Sequence, residues 1–213
     1  ICAKFLDCKI IHIHGGEKTK GSLDNIWRDM ITKISDHHFT SLEIYRKRVI
    51  KLIDGSKNVF NFGSIGAYNI KNTNKKKIFQ NIKFKKKILV SYHSSTLSIS
   101  KSRKDLLEML AALTKFKECF ILFTYPGHDI ESDFIIKSLK KFNIVNKNSL
   151  LIKKASSYNY ADLLYSFDIL VGNSSSGIIE APSAKIPTLN IGDRQKGRVS
   201  GPSVFHINGN RKK

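Results

Sequence analysis

The feature that most constrains the fold is the alternation of short β-rich runs with amphipathic helical runs along the chain. Seven runs rich in Ile, Val, Leu and Phe predict strands, at 8–13, 58–63, 87–92, 119–124, 150–153, 168–172 and 187–192. Between several of them apolar residues recur at helical spacing, as at Leu106, Leu107, Leu110 and Leu113 or at Ile26, Met30, Ile31 and Ile34. Strands that alternate with helices predict right-handed βαβ units and a mostly parallel sheet covered on both faces. The loss of periodicity near 62–69 predicts a domain boundary there.

The charge balance is strongly basic, with 37 Lys and Arg against 17 Asp and Glu and a net charge of +20 over 213 residues. The lysines cluster in loop-like runs at 71–77 and 83–87 with few aromatic residues between them. That arrangement favours a solvated surface, and we expect neither a nucleic-acid nor a membrane partner. No apolar run approaches the roughly 18 residues that span a bilayer. No secretory signal opens the chain, which begins without Met, so we expect a fragment or trimmed chain of a cytoplasmic protein.

The cysteines argue against two structural devices. Cys2, Cys8 and Cys119 are odd in number and lack CxxC or Cys/His ligand spacing. We therefore expect neither a disulfide framework nor a zinc site. The chain also offers no other ligand cluster and no dinucleotide GxGxxG fingerprint, so no metal and no redox cofactor is predicted.

Polar residues follow five of the predicted strands. In sheets of this kind ligands bind beyond the carboxyl ends of the strands. The residues at those positions are His14, Glu17 and Asp24, then His93, then Tyr125, Pro126 and His128, then Asn173 to Ser176, and finally Asp193 and Arg194. The sequence therefore predicts one polar crevice at this end of the sheet.

The most informative segment follows the strand at 168–172. Three serines and Gly177 at a predicted helix start can present backbone N–H groups to an anion. One turn later, Glu180 offers two acceptor oxygens to ribose hydroxyls. Arg194 and Arg198 can supply forked donors to a diphosphate. The alternative is an ordinary helix N-cap, in which the serines bind helix amides and Glu180 is a solvated side chain.

Two long motifs carry a resemblance to a known family. They are "HIHGGEKTKGSLDNIWRDMITKISDHHF" (12–39) and the run from "NSSSGIIEAPS" through "KIPT" to "NIGDRQKGR" (173–198), with His93 between them. In this order they resemble the hydrolysing UDP-N-acetylglucosamine 2-epimerases of sialic-acid biosynthesis, which release N-acetylmannosamine and UDP. The resemblance covers essentially the whole chain. It implies an α/β fold of two Rossmann-like domains in a glycosyltransferase-B-type arrangement, with a UDP-sugar substrate in the cleft between them.

The resemblance also implies a domain division. Residues 1–62 would form the C-terminal part of the N-terminal domain, and residues 63–213 an incomplete C-terminal nucleotide-binding domain. We expect the chain to be a fragment that lacks most of the N-terminal domain, including a catalytic Asp that the family carries there, and the closing C-terminal helix. The full-length parent is expected to be needed for activity and to form a homo-oligomer, either a dimer or a tetramer.

Site residues follow from the motifs and from the implied reaction, in which loss of the proton on carbon 2 and anti elimination of UDP give a glycal that is then hydrated. Such a reaction needs a base, an acid and stabilisation of the departing diphosphate. The residues assigned to catalysis are Asp24, Glu17, His14 and His93. Those assigned to substrate binding are Arg28, Ser174, Ser175, Gly177, Glu180, Arg194 and Arg198.

Several of these residues also have structural explanations. His14 can fix the geometry of a strand end, and Glu17 can brace the loop through backbone amides. Asp24 can cap a helix, and Arg28 can pair with it across one turn. The glycines at 15–16 are expected to let the backbone turn close to the substrate.

Other functions stay open from the sequence. The same chemistry could act on GDP-N-acetylglucosamine or on a UDP-linked 2,4-diacetamido sugar. A non-hydrolysing 2-epimerase is disfavoured because the first motif is of the Gly-Gly-Glu type, and a retaining glycosyltransferase because nothing resembles an acceptor site. A nucleotide-sugar-binding fragment without catalysis is the alternative from a different class.

Overall fold

The computed structural model describes residues 1–20, 23–127, 129–153 and 159–210, and these form two parallel sheets. His128, one of the predicted strand-end residues, lies outside the described residues. The predicted α/β class is confirmed.

The first sheet has three parallel strands in the order β1-β2-β3, namely β1 (Ile11–Ile13), β2 (His37–Thr40) and β3 (Val59–Asn61). Helices α1 (Cys2–Phe5), α2 (Asp24–Ile34) and α3 (Glu43–Ile53) precede or connect these strands. The sequence did not predict β2, because two adjacent histidines interrupt its apolar character. Within the sheet His38 is only 1% exposed, and its burial lowers the pKa of its imidazole.

One face of this sheet carries exposed apolar side chains, whereas the sequence predicted a sheet covered on both faces. Ile11 and Ile13 point to one side of β1 and remain 58% and 50% exposed. The predicted apolar stripe of α2 is also about half exposed, at Met30 for example, whereas its buried residue is Thr32. Thr32 Oγ1 lies 3.1 Å from Nδ1 of His12, so α2 packs on the sheet through a polar contact.

The second sheet contains six parallel strands in the order β6-β5-β4-β7-β8-β9. The strands are β4 (Lys86–Ser91), β5 (Cys119–Thr124), β6 (Ser149–Ile152), β7 (Ile169–Gly172), β8 (Thr188–Ile191) and β9 (Val204–Ile207). The helices of this part are α4 (Ile65–Asn72), α5 (Ile99–Leu113), α6 (Ser132–Val145), α7 (Tyr160–Ser166) and α8 (Ser176–Ile179). Counted from β4, this is the Rossmann order 3-2-1-4-5-6. All seven predicted strands are present, and among the strands of the described residues β2 and β9 were not predicted.

The core lies on both faces of the second sheet, as the sequence pattern predicts. Along β4, Ile88 and Val90 join one apolar cluster with residues of α5 and α6. Leu89, which points the other way, joins a second cluster with Leu163 and Leu164 of α7. Because side chains alternate along a strand, this burial on both sides explains the continuous apolar run of β4.

The predicted boundary region is helical in its second half. Helix α4 begins at Ile65, and Ser64 caps it by accepting a hydrogen bond from the N–H of Ala67 at 3.4 Å. The division of the chain near residue 62 stays a prediction. Among the described residues, no helix is long and apolar enough to cross a membrane.

Candidate functional site

The crevice at the switch point of the second sheet lies where β4 and β7 end side by side. The N–H of His93 donates to Oδ1 of Asn173, and Nδ2 of Asn173 donates back to the carbonyl of His93, both at 2.7 Å. Gly172 has a φ of +138° and lies against the backbone carbonyl of Ser91, where a Cβ would not fit. These contacts fix the two strand ends, and Asn173 is a residue that the sequence placed in the crevice without a role.

Arg194 and His93 meet at this switch point. Arg194 donates from Nε to the carbonyl of Ser94 at 3.1 Å and from Nη1 to the carbonyl of Asn173 at 3.3 Å. Burial and the Arg194 charge lower the pKa of His93 to about 4, against the opposite effect of the Asp129 carboxylate. His93 is therefore neutral at pH 7, so it can donate or accept a hydrogen bond without carrying charge.

A larger cavity of about 440 Å³ lies between the first sheet and the second. Six of the predicted site residues line it: His14, Glu17, Asp24, Arg28, Glu180 and Arg198. A second cavity of about 170 Å³ is lined by Arg194 and Asn173 together with residues of α5 and the turn after β8. The structure thus brings residues from both long motifs to one place.

The loop after β1 holds His14 in an unusual conformation. Its φ is +63°, a left-handed value that is uncommon outside glycine. Its N–H donates to the carbonyl of Phe39 at 2.8 Å, and its Nδ1 lies 3.1 Å from Oε1 of Glu17. Gly16, with a φ of +82°, packs against the backbone carbonyl of Tyr45 in α3. Packing within the first part of the chain therefore explains that glycine, and the close approach of this loop to the substrate stays a prediction.

Glu17 lies at the centre of a buried network. Its Oε1 accepts a hydrogen bond from Ser41 Oγ at 3.1 Å, and its Oε2 lies 2.7 Å from Nη2 of Arg198. Burial acts to raise the pKa of Glu17, but the hydrogen bond with His14 and the charge of Arg198 outweigh it, so the pKa is lowered. Glu17 is thus an ionised side chain that, among the described residues, braces the loop through other side chains and not through backbone amides.

Asp24 is the first residue of α2, and Leu23 occupies the N-cap position. The proposed alternative of an Asp24 N-cap is therefore wrong, and the Asp24 side chain is exposed at the larger cavity. Arg28 donates from Nη1 to the carbonyl of Glu17 at 3.0 Å and to Oδ1 of Asn25 at 3.1 Å. Arg28 holds the backbone of the loop, a contact that spacing alone could not reveal.

Asn25 was missed by the sequence analysis. Its Oδ1 accepts from the N–H of Thr19 at 2.8 Å, and its Nδ2 donates to the carbonyl of Thr19 at 2.9 Å. The Asn25 amide can both donate and accept in this way, whereas an ionised Asp has no donor.

Helix α8 ends at Ile179, so Glu180 directly follows the helix at its C-cap position. The sequence had placed Glu180 one turn into a longer helix. One carboxylate oxygen packs against Gly66, and the other, Oε2, is buried with no hydrogen-bond partner among the described residues. Burial raises the pKa of Glu180. Nε of Arg198 is likewise buried without a partner in the part of the chain that the structure describes. Buried polar atoms are nearly always paired, so this unpaired acceptor and donor suit a polar ligand in the cavity.

The serine segment adopts an arrangement different from an ordinary cap. Ser175 occupies the N-cap position of α8 but makes no side-chain capping hydrogen bond. The Ser176 N–H instead donates to Ser174 Oγ at 3.4 Å. At Gly177 an added Cβ would lie 2.6 Å from Cγ2 of Thr188, so packing on β8 explains that glycine. Within the described residues, no three His, Cys, Asp or Glu side chains form a group that could hold a metal ion.

Fold and crevice together define a doubly wound α/β protein with a polar cleft at its topological switch point. The family model for UDP-N-acetylglucosamine 2-epimerase matches residues 1–213. The chain therefore belongs to the UDP-N-acetylglucosamine 2-epimerase family, as its motifs indicated.

Known relatives support this assignment. The chain is 41% identical over 213 residues to the polysialic acid biosynthesis protein P7 of Escherichia coli, covering 97% of this chain and 54% of that protein. It is 38% identical over 205 residues to the GDP/UDP-N,N'-diacetylbacillosamine 2-epimerase (hydrolyzing) of Campylobacter jejuni, covering 92% and 53%. The chain thus spans about half the length of the curated relatives it matches.

A solved structure shares the fold. The UDP-GlcNAc 2-epimerase of Neisseria meningitidis, bound to UDP-GlcNAc, superposes with a TM-score of 0.72 at 17% identity, covering 99% of this chain and 60% of that one. This likeness confirms the predicted two-domain, glycosyltransferase-B-type fold class.

Proposed function

We propose that the protein to which this chain belongs is a hydrolysing nucleotide-sugar 2-epimerase that converts UDP-N-acetylglucosamine and water to N-acetylmannosamine and UDP. The observation that supports this most is the larger cavity. It joins an exposed carboxylate, Asp24, from one side to an unpaired buried carboxylate oxygen of Glu180 and an unpaired N–H of Arg198 from the other. A hydroxyl-rich anionic ligand with a sugar at one end matches both sides.

Nucleotide binding is assigned to the second sheet. Glu180 accepts hydrogen bonds from the ribose hydroxyls, because its free oxygen is an acceptor in a dry environment. Ser174, Ser175 and Arg194 face the phosphates. The Nε and Nη1 atoms of Arg194 bind backbone carbonyls, which fix the guanidinium, and its Nη2 is assigned as the donor to the phosphates.

The chemistry is assigned to the first motif. A base removes the proton on carbon 2, the electron pair forms the double bond to carbon 1, and the bond from carbon 1 to the UDP oxygen breaks. Water then adds its oxygen to carbon 1 and a proton returns to carbon 2 from the opposite face, giving the free epimer. Asp24 is assigned to acid–base work because it is the carboxylate exposed at the cavity. His14 and Glu17 position the loop and face the sugar, and neutral His93 assists the departing diphosphate.

A second candidate substrate is a UDP- or GDP-linked diacetamido sugar, because a relative named for such a substrate is 38% identical. The name of the 41% identical relative links the preferred reaction to polysialic acid, which agrees with N-acetylmannosamine as a sialic-acid precursor. The domain division at residue 62, the homo-oligomer and the cytoplasmic location remain predictions of the same proposal.

The test uses the full-length protein with three nucleotide sugars in parallel: UDP-N-acetylglucosamine, GDP-N-acetylglucosamine and a UDP-linked 2,4-diacetamido sugar. Release of the nucleoside diphosphate, which is GDP from the GDP-linked sugar and UDP from the other two, is followed together with the mass and stereochemistry of the sugar. We expect UDP and free N-acetylmannosamine in equal amounts from the first. Formation of UDP-N-acetylmannosamine would contradict the hydrolysing assignment. Nucleotide binding without any product would support the non-catalytic alternative.

A further inference from the structure

A chain of three hydroxyl groups connects helix α7 to the serine segment. Tyr160 donates its phenolic O–H to Ser176 Oγ at 2.6 Å, and Ser176 donates its hydroxyl to Ser174 Oγ at 3.0 Å. The sequence analysis gave Tyr160 no role. Ser174 is one of the residues assigned above to the phosphates, so the chain ends at the proposed nucleotide site.

The direction of this chain follows from Tyr160. Its phenol packs against the apolar core, and burial raises its pKa to about 12, so it stays protonated. A buried O–H needs an acceptor, and Ser176 Oγ is the acceptor that the described residues provide. If Ser176 donated to Tyr160 instead, the phenolic proton of Tyr160 would have no acceptor among the described residues. Tyr160 therefore begins the chain as its donor.

The donor role of Tyr160 determines how Ser174, at the other end of the three hydroxyl groups, is hydrogen-bonded. Ser174 Oγ receives two donors, the Ser176 hydroxyl at 3.0 Å and the Ser176 N–H at 3.4 Å. A serine oxygen has two lone pairs, so its acceptor capacity is used and its own proton remains to be donated. In the part of the chain that the structure describes, that proton has no acceptor. The Ser174 hydroxyl can therefore donate a hydrogen bond to a bound anion.

We propose that Tyr160 is a positioning residue that, through Ser176, fixes the Ser174 hydroxyl as a hydrogen-bond donor to the diphosphate of the nucleotide. The inference rests on the proposed function. Oriented hydrogen bonds polarise one another, so each link strengthens the next and the terminal donor benefits most. Without Tyr160 the Ser176 hydroxyl can rotate, and Ser174 is then free to donate to Ser176 instead of to the phosphate.

The experiment measures binding of UDP and of uridine to the full-length protein by calorimetry, in the unchanged protein and in Tyr160→Phe. We expect Tyr160→Phe to bind UDP about five- to tenfold more weakly, as loss of one oriented hydrogen bond predicts. Uridine, which lacks phosphate, should bind as before. Tyr165→Phe is the matched control, because Tyr165 lies in the same helix and donates to the carbonyl of Ile70 at 2.9 Å, away from the serines.

Ser176→Ala removes the middle of the three hydrogen-bonded hydroxyl groups. It therefore tests the same inference independently of how Tyr160→Phe folds. We expect a similar loss of UDP affinity, and no further loss when both substitutions are combined. UDP binding by Tyr160→Phe within twofold of normal would overturn the inference alone, as would equal weakening of UDP and uridine. Absence of UDP binding by the unchanged protein would overturn the proposed function as well.

Discussion

The buried ion pair between Glu17 and Arg198 gives the sharpest test of how the two long motifs are joined. The side chains are 4% and 11% exposed, and Oε2 lies 2.7 Å from Nη2. In Glu17→Gln the shape is kept but the charge is lost. The Arg198 guanidinium then remains buried with neutral acceptors in place of a carboxylate, among them Oε1 of Gln195 at 3.1 Å. Removing one partner of a buried pair costs about 3–5 kcal/mol, so we expect the free energy of unfolding to fall by about 3 kcal/mol.

Urea denaturation at pH 7 measures this loss, which corresponds to a midpoint lower by about 1 M or more. Glu43→Gln is the matched control, since Glu43 pairs with Arg46 at 3.2 Å on an exposed helix face and should matter by less than about 0.5 kcal/mol. Because the Glu17 pKa is lowered from 4.5, its contribution is complete above that pH and is lost as pH falls through the folded pKa. A cost no larger than the control's, or one that does not shrink in acid, would refute the reasoning.

Three further predictions follow from the site. Asp24→Asn should reduce turnover about a hundredfold or more. The melting temperature of the protein should stay unchanged, because Leu23 and not Asp24 is at the N-cap position of α2. Near-normal turnover would contradict an acid–base role for Asp24. Glu180→Gln should weaken UDP binding about tenfold in calorimetry yet leave the melting temperature of the free protein equal or higher, because a buried charge is removed; an unchanged affinity would argue against ribose contact. His93 should titrate near pH 4 in a nuclear magnetic resonance titration of the folded protein, and a midpoint near 6.5 would contradict this. Between pH 6.5 and 4 the unfolded protein then binds more protons at His93 than the folded protein does, so the free energy of unfolding falls as the pH drops through this range.

Elements with a clear apolar period could be predicted from the sequence. The run at 87–92 became β4 with both faces buried, and the leucines at 106, 110 and 113 became the buried side of α5. The two missed strands lack that signal. β2 contains two histidines, and the edge strand β9 exposes Phe205 and carries His206, so neither has a continuous apolar run.

The sequence could predict which residues form the site, but not which of them contact each other. Motif spacing placed Glu17 and Arg198 among the site residues, yet only the fold shows that they pair across 181 positions. The packing of Glu180 on Gly66 and the support of Ser174 by Tyr160 likewise join segments distant in sequence. A single sequence carries periodicity and local spacing, and such long-range contacts leave no trace in either.

The most direct test of the central claim follows carbon 2 of the sugar when the full-length protein turns over UDP-N-acetylglucosamine in deuterated water. Removal of the carbon 2 proton, elimination of UDP and hydration of the glycal predict free N-acetylmannosamine that carries one deuterium at carbon 2, with one UDP released for each sugar. Free sugar that keeps its original proton at carbon 2, or an epimer still attached to UDP, would contradict the account.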